Sequence, residues 1–462
     1  MGKTKQKQID IEKLVELQRC YFHTGQTRSI KFRLWALEQL KNGIIAMEDE
    51  ICQALQKDLG KSATESYMTE IGMVLSEIRH MQKYLKLYAA KTYVMTPLAQ
   101  FPATSYKVAE PYGVVLVMSP WNYPFMLAME PVVDAIAAGN TVVIKPGNAV
   151  PKTSAVIKKL VEACFKKQYV AVVIGDRVVN QKLLDQKFDY IFFTGGKKVG
   201  RFVMEKAAAH LTPVTLELGG KSPCIVDPSA DIRMAARRIV FGKFLNEGQT
   251  CVAPDYVLVH QSVKRPLIKA ICKEIDRQYG NAYFENTEYP HMINEVHFNR
   301  VMNLLKGAHI IKGGKCNQSL KIEPTVVDGI TMKHPLMQEE IFGPVLPILT
   351  YKTREEAVQM IRQNETPLAL YLFTSSSRSK KYFLQNVRFG GGCINDTIIH
   401  LATSYMGFGG TGQSGMGSYH GKAGFDTFTH RKSIVDKKTW LDLPLRYHPY
   451  NGLKDKIIRK FM

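Results

Sequence analysis

At 462 residues the chain is long for a single hydrophobic core, so two or three domains are expected. Hydrophobic content of 45% and charged content of 22%, with no low-complexity tract and no fixed-period repeat, describe an ordinary soluble globular protein. The formal charge of +21 favours anionic ligands or surfaces. The lysines and arginines are nevertheless spread along the chain with no interleaved aromatic motif, so no nucleic-acid partner is expected.

The eight cysteines (Cys20, Cys52, Cys164, Cys224, Cys251, Cys272, Cys316 and Cys393) contain no C-x-x-C pair. That scatter argues against a disulfide framework and against a zinc site. The leader "MGKTKQKQID" is basic but runs into no apolar segment, unlike a secretory signal, and Gln6 stands where myristoylation needs Ser or Thr. No apolar run approaches the ~18 residues of a membrane span. A reducing cytoplasm is the expected location.

Taken in chain order, residues 9 to about 90 predict helices, because "IEKLVELQRCYF" and "RLWALEQLKNGIIAMEDEICQALQKDL" carry apolar residues at three- and four-residue spacing. "YGVVLVMSP" and "NTVVIKP" then predict buried strands joined by the helix "MEPVVDAIAAG", a β-α-β unit. Alternation continues with the helix "TSAVIKKLVEACFKK", the strands "YVAVVIG" and "DYIFFTGG", and the helix "VGRFVMEKAAAHL". Such alternation predicts a doubly wound parallel sheet. A second α/β region starts near residue 218, with "MAARRIVFGKFL" and "DYVLVH", and a ligand is expected between the halves.

Three glycine-rich stretches compete for a phosphate. "GGTGQSG" fits G-x-G-x-x-G at Gly410, Gly412 and Gly415, but lacks the strand and helix that give the motif meaning. "LGGKS" ends like a P-loop, yet Thr215 replaces its first glycine. "FFTGGKKVG" has the right context, a strand entering a glycine turn that opens a helix, with Lys197 and Lys198 on the first turn. A plain strand-to-helix turn explains it equally well on physics alone.

Chemistry concentrates at three further places. Cys251 lies in the polar loop "NEGQTCVAPD" with no histidine within eight residues, so its activation has to come through the fold. Glu217 ends the strand-like "TPVTLE" beside a Gly-Gly turn, where a carboxylate can serve as a base for water. Asn122 follows an apolar strand, and an amide N–H at a strand end can stabilise an oxyanion. Inert readings are available for each: a plain thiol, a polar strand face, a packing amide.

Together, "PWNYP", "TVVIKP", "FTGGKKVG", "LELGGKSP", "GQTCVAPDY", "QEEIFGPV" and "GFGGTGQSGMG" resemble, in order and spacing, the aldehyde dehydrogenase superfamily from about residue 10 to residue 440. "GQTCVAPDY", "PLALYLF" and "SYHGKAGFDTFTH" are similar to its class 3 branch of fatty and aromatic aldehyde dehydrogenases. The resemblance implies an α/β protein with a Rossmann-like dinucleotide-binding domain (1–90 and 113–217) and an α/β catalytic domain (218–407). A small β oligomerisation element (91–112 and 408–445) and a tail (446–462) complete it. It also implies NAD(P)-dependent oxidation of medium- or long-chain or aromatic aldehydes by a homodimer.

Residue by residue, Cys251 matches the nucleophile that forms a thiohemiacetal and then a thioacyl-enzyme. Asn122 matches the oxyanion donor and Glu217 the base for hydrolysis. Lys145 matches the contact to the adenosine ribose; Gly195, Gly196, Lys197, Lys198, Val199 and Gly200 match the pyrophosphate segment. Glu340 matches the holder of the nicotinamide ribose, with Phe342 beside the ring. Tyr123 and His400 fall where relatives line the aldehyde tunnel. No metal is implied.

Two departures bear on the cofactor, which is NAD or NADP. Asn148 stands where relatives commonly carry a glutamate, and a neutral amide does not repel a 2′-phosphate; Lys197 and Lys198 add positive charge. Glu247 is a third departure, without a physical account from sequence. A CoA-acylating or reductive relative is the alternative enzyme, against which Glu217 argues, and a silent binding protein of the same fold is the alternative class. The ending "DKIIRKFM" is weakly amphipathic, which suits at most a peripheral membrane contact.

Overall fold

Near-continuous runs of β-branched, aromatic and other apolar residues can be satisfied only where both faces of a strand are covered. Val114–Met118, Thr141–Lys145 and Tyr190–Thr194 are such runs, and every residue in them is buried. The computed structural model describes residues 10–461, so the expectations for the leader before Asp10 lie outside the described residues.

These runs form the middle of a six-stranded sheet in the order Gly415–Met416, Val214–Glu217, Tyr190–Thr194, Val114–Met118, Thr141–Lys145, Val170–Val172. All neighbours are parallel except Gly415–Met416, which pairs antiparallel with the strand ending at Glu217. The glycine-rich "GGTGQSG" segment is thus no dinucleotide fingerprint. It makes a short 3-10 turn, Gly412–Ser414, and closes the sheet edge beside Glu217.

A second sheet of seven strands runs His309–Lys312, Thr325–Asp328, Val345–Tyr351, Tyr256–His260, Pro223–Val226, Ala369–Phe373, Gly391–Ile394. Only His309–Lys312 is antiparallel to its neighbour. A third sheet is antiparallel and smaller, with Ala103–Pro111 between Thr92–Val94 and Thr429–Lys437. The predicted α/β class and doubly wound parallel sheet are therefore observed, down to the β-α-β unit around helix Met126–Ala138.

That helix is buried along its whole length and ends at Gly139. The predicted N-terminal helices Ile11–His23, Ile30–Ala46, Glu48–Leu59 and Gly72–Tyr88 are present, and residues of the last three share one large apolar core with Met126–Ala138. Among the described residues, no helix is long and apolar enough to cross a membrane.

Helix Pro151–Cys164 follows the loop after Lys145, and Val150 cannot cap it with a side chain. Asp58 does so from a distant helix. Its Oδ2 accepts from the Thr153 N–H at 2.7 Å and the Thr153 hydroxyl at 2.8 Å, and its Oδ1 accepts from Lys152 N–H at 3.3 Å. A carboxylate there satisfies otherwise orphaned donors and complements the helix dipole. Asp58→Ala is expected to cost about 1–3 kcal/mol in denaturant unfolding, with Asp58→Asn recovering part of it.

Candidate active site

In a doubly wound sheet the carboxyl ends of the strands open into the ligand crevice. Asn122 follows strand Val114–Met118, Gly195 and Gly196 follow Tyr190–Thr194, and Glu217 is the last residue of Val214–Glu217. These residues, together with Lys197, Cys251, Glu340 and Phe342, line one cavity of about 640 Å³. Predicted residues scattered over some 220 positions of sequence thus meet in one place.

Cys251 is delivered by an unusual loop. After helix Ile232–Phe244 the chain makes a left-handed turn, with φ of +51° at Asn246, +53° at Glu247 and +73° at Gly248. Only glycine fits the third position, because a Cβ at Gly248 would lie 2.4 Å from the Gly343 carbonyl oxygen. Two consecutive non-glycine residues with positive φ cost of order 1 kcal/mol each and persist only where surrounding bonds hold them.

Those bonds run to Asn122. The Asn246 amide donates to the Asn122 carbonyl at 2.8 Å, and the Asn122 amide donates to the Gln249 carbonyl at 3.0 Å. The Asn122 carbonyl also accepts from Lys61 Nζ at 3.1 Å. One amide hydrogen of Asn122 is thereby engaged, and the second is free to meet an oxyanion in the cavity.

The thiol sits among acids. Burial, then Glu340, then Glu217 push Cys251 up to about 12, while the backbone N–H groups of Cys251 and Val252 pull the other way. Burial lifts Glu217 well above the usual carboxylate range, and both its carboxyl oxygens are buried without a hydrogen-bond partner. Burial, with Asp255, lifts Glu340 to about 8, opposed by the Gly220 N–H. A Cβ at Gly219 would lie 2.0 Å from the Glu340 carboxyl, so a side chain there would have to displace it.

The fit to a dinucleotide is good. Gly196 begins helix Lys197–Ala208 with no capping side chain, and nothing lies within 4 Å of where its Cβ would stand, so the helix N-terminus is open to a phosphate. Lys197 lies at the cavity, but its ammonium pairs with Glu365 at 2.5 Å, which offsets its charge. Lys198 and Val199 are exposed on the same turn, and Gly200 faces inward. Phe342, at φ +48°, sets its ring edge-on to Trp121 with centroids 5.4 Å apart.

Lys145 and Asn148 are not among the residues lining this cavity; buried Lys145 donates to the Asn148 side-chain oxygen at 2.6 Å, and burial lowers its ammonium to about 8. Asp176, at the N-terminus of helix Arg177–Leu184, lies near enough to oppose that shift. Sequence reasoning missed this carboxylate, although it follows the strand run "VAVVIG" and so belongs to the cleft edge.

Other missed residues had no local signal. Lys221 and Asp255 form a buried pair at 2.5 Å, and buried Lys243, lowered to about 8 by burial, lies among Asp255, Lys221 and Glu340. Tyr123 and His400 do not line this cavity. Tyr123 is buried with its hydroxyl 2.6 Å from that of Thr250, and His400 packs on Tyr371 with Nδ1 3.7 Å from the Cys393 sulfur.

A family model for the aldehyde dehydrogenase family matches residues 3–434, and the chain belongs to that family. It is an NAD(P)-dependent oxidoreductase that oxidises aldehydes by the family's thiohemiacetal and thioacyl-enzyme route. The 4,4'-diaponeurosporen-aldehyde dehydrogenase of Staphylococcus aureus is 47% identical over 446 residues, covering 96% of this chain and 97% of that protein. The dimeric NADP-preferring aldehyde dehydrogenase of Canis lupus familiaris is 40% identical over 446 residues, covering 95% and 98%. Among solved structures, the substrate-bound state of Staphylococcus aureus AldH superposes with a TM-score of 0.96 at 46% identity, covering 98% of this chain and 99% of that one. Betaine aldehyde dehydrogenase of Staphylococcus aureus in complex with NAD+ gives 0.85 at 27% identity, covering 95% and 89%.

A carboxylate repels a nearby 2′-phosphate; with Lys145 expected at the adenosine ribose, Asp176→Asn is expected to raise the NADP-to-NAD efficiency ratio about three- to tenfold. Steady-state kinetics with each cofactor at low and high salt measures it, and the gain should shrink as salt rises.

Proposed function

We propose that Cys251 is the nucleophile of this aldehyde dehydrogenase, Asn122 its oxyanion donor and Glu217 its hydrolytic base. The observation that carries the reading is one cavity holding a thiol and a buried carboxyl with no partner of its own. A buried carboxyl without a partner costs free energy that a purely structural role would not repay.

The Cys251 sulfur adds to the aldehyde carbonyl as its proton passes to solvent, and the Asn122 amide with the Cys251 N–H steadies the resulting oxyanion. Bound NAD(P) supplies the hydride acceptor that turns this adduct into a thioester. In its ionised form Glu217 takes a proton from water as the water oxygen attacks the thioester carbonyl, and that proton passes on to the departing sulfur, releasing the carboxylic acid and the thiol. Lys145 with Asn148 holds the adenosine ribose; Gly195 to Gly200 meet the pyrophosphate; Glu340 and Phe342 hold the nicotinamide end. The unpartnered base supports hydrolysis over transfer of the acyl group to CoA, where such a base would be a liability.

The substrate reading is an apolar aldehyde, medium- or long-chain or aromatic. Trp121, Leu127, Leu368 and Phe408 in the cavity wall support it, as does the 4,4'-diaponeurosporen-aldehyde named for the Staphylococcus aureus relative. Tyr123 and His400 then act from behind the wall, as packing. The Asn148 amide supports use of NADP beside NAD. A homodimer built on the third sheet is supported by its exposed Tyr93 and Val435, by exposed Met95 and Leu98 in the connection between its first two strands, and by the dimeric relative's name. The three sheets support the domain division given above, and eight free cysteines support a reducing, cytoplasmic setting.

Formation of reduced cofactor with decanal or benzaldehyde is expected for the native enzyme and is abolished in Cys251→Ala. Turnover that survives in Cys251→Ala overturns the assignment.

A thiol raised to about 12 carries a thiolate fraction that grows tenfold per pH unit below that value. Alkylation of Cys251 in the cofactor-free enzyme is therefore expected to be slow at neutral pH and to climb steeply to pH ~10. Glu217→Gln, which removes one neighbouring acid, should speed it at any given alkaline pH.

A further inference from the structure

Glu247, four residues before Cys251, is fully buried in the left-handed turn. Its Oε1 accepts from the Ile322 N–H at 2.6 Å, and the Tyr289 hydroxyl donates to the Ile322 carbonyl at 2.8 Å. Both backbone polar groups of Ile322 are thus held, at the point where Ile322 bridges Cys316. The turn is braced in two other directions as well. Asn246 ties it to the Asn122 carbonyl, and Gln249 ties it to the His291 carbonyl at 3.1 Å and the Ile293 N–H at 2.9 Å. Asn246 and Gln249 brace it toward Asn122 and the 291–293 segment; Glu247 alone reaches Ile322.

We propose that Glu247 is a positioning residue for the aldehyde reaction: its carboxyl locks the left-handed turn onto Ile322 and so aims Cys251 and the Asn122 amide at one carbonyl. The proposal rests on Cys251 being the nucleophile. A strained turn held on three sides relaxes when one side is released, and a displacement of about 1 Å at the reacting atoms is worth up to about a hundredfold in rate.

The chemistry of the brace makes it distinguishable from packing. Oε2 of Glu247 is buried without a partner, and burial raises the carboxyl well above its usual range, with the Ile322 N–H and Lys321 opposing. Besides Lys321, the titratable groups around it are Tyr289, with Tyr279, Tyr283 and Glu323 beyond it, and Glu65, which accepts from the Asn246 N–H at 2.9 Å. A carboxyl raised in the folded state contributes its stability below its unfolded pKa and loses it as pH climbs through the folded value. Both forms accept the Ile322 N–H, but the ionised form leaves a bare charged Oε2 in the buried turn, and that cost loosens it. An amide at this position accepts the same bond and does not titrate.

The experiment compares native enzyme with Glu247→Ala, Glu247→Asp and Glu247→Gln, using decanal as substrate, from neutral to alkaline pH, the direction in which burial moves the Glu247 carboxyl. E247A and E247D are expected to lose about ten- to hundredfold in kcat/KM, with the cofactor dissociation constant changed less than about twofold. E247Q recovers most of that loss and extends activity to higher pH than the native enzyme. Should E247A fail to fold, the contrast of E247D with E247Q, judged beside circular dichroism, decides alone. Equal activity and equal alkaline limbs for the native, Asp and Gln forms overturn the proposal, as does a folded E247Q no better than E247D. A Cys251→Ser control separates the two readings: turnover surviving in C251S defeats the nucleophile assignment, whereas a silent C251S with native-like E247D defeats only the role of Glu247.

Discussion

The carbonyl of Asn122 is the point on which the site hangs. It accepts from Lys61 on one side and from Asn246 on the other, while its own side chain reaches the Gln249 carbonyl. One residue thereby joins a strand end of the first sheet, a lysine after an N-terminal helix and the loop that carries Cys251. Lys61 is fully buried and paired with Glu70 at 2.6 Å, with its ammonium over the Tyr123 ring. The second Glu70 oxygen takes the N–H groups of Phe125 and Met126, which open the buried helix Met126–Ala138. Breaking a buried pair of this kind by removing one partner costs about 3–5 kcal/mol, so the loop carrying Asn122 is held far more stiffly than its lack of regular structure suggests.

Electrostatics then works against reactivity. Cys251 is surrounded by low-dielectric protein and two carboxyls, with no histidine beside it, and every one of those factors favours the thiol over the thiolate. A resting thiol rather than thiolate reacts slowly with oxidants and alkylating agents, since both need thiolate. The same low dielectric means that a cation entering the cavity shifts the balance strongly, because charge interactions there are screened little. Reactivity is thus conditional on occupancy.

Much of this was legible from sequence. Strand runs such as "YGVVLVMSP" and "DYIFF" are apolar throughout because they are covered on both faces, and the rule that strand ends face the cleft then locates Asn122, Gly195 and Glu217. Cys251, by contrast, is an ordinary thiol until the family pattern is recognised, because its environment is assembled from residues 122, 217 and 340. Lys61, Glu70, Lys221 and Asp255 were invisible for the same reason. Each makes its decisive contact across many residues of chain, and nothing in its neighbours distinguishes it from a solvated charge. Asp176 was legible in principle, at the end of a strand run, and was passed over. Lys197 was recognised, but its partner Glu365 comes from a turn 168 residues away, so its charge was counted as free.

The segment 336–342 shows how rigidity and freedom are divided. Lys221 donates to the carbonyls of Leu336 and Glu339, Asp255 accepts from the Ile341 N–H, and Arg300 donates to the carbonyls of Glu340 and Ile341. Backbone on both sides of Glu340 is therefore fixed by side chains that carry full charge, and charge-assisted bonds are about twice as strong as neutral ones. That grip sustains the left-handed φ at Phe342, which a bulky residue does not adopt unaided. The Glu340 carboxyl itself is left beside Gly219 in the cavity, where burial, with Asp255, lifts it to about 8. A frame this stiff around a carboxyl this close to its titration point lets the charge of the site change without the backbone moving.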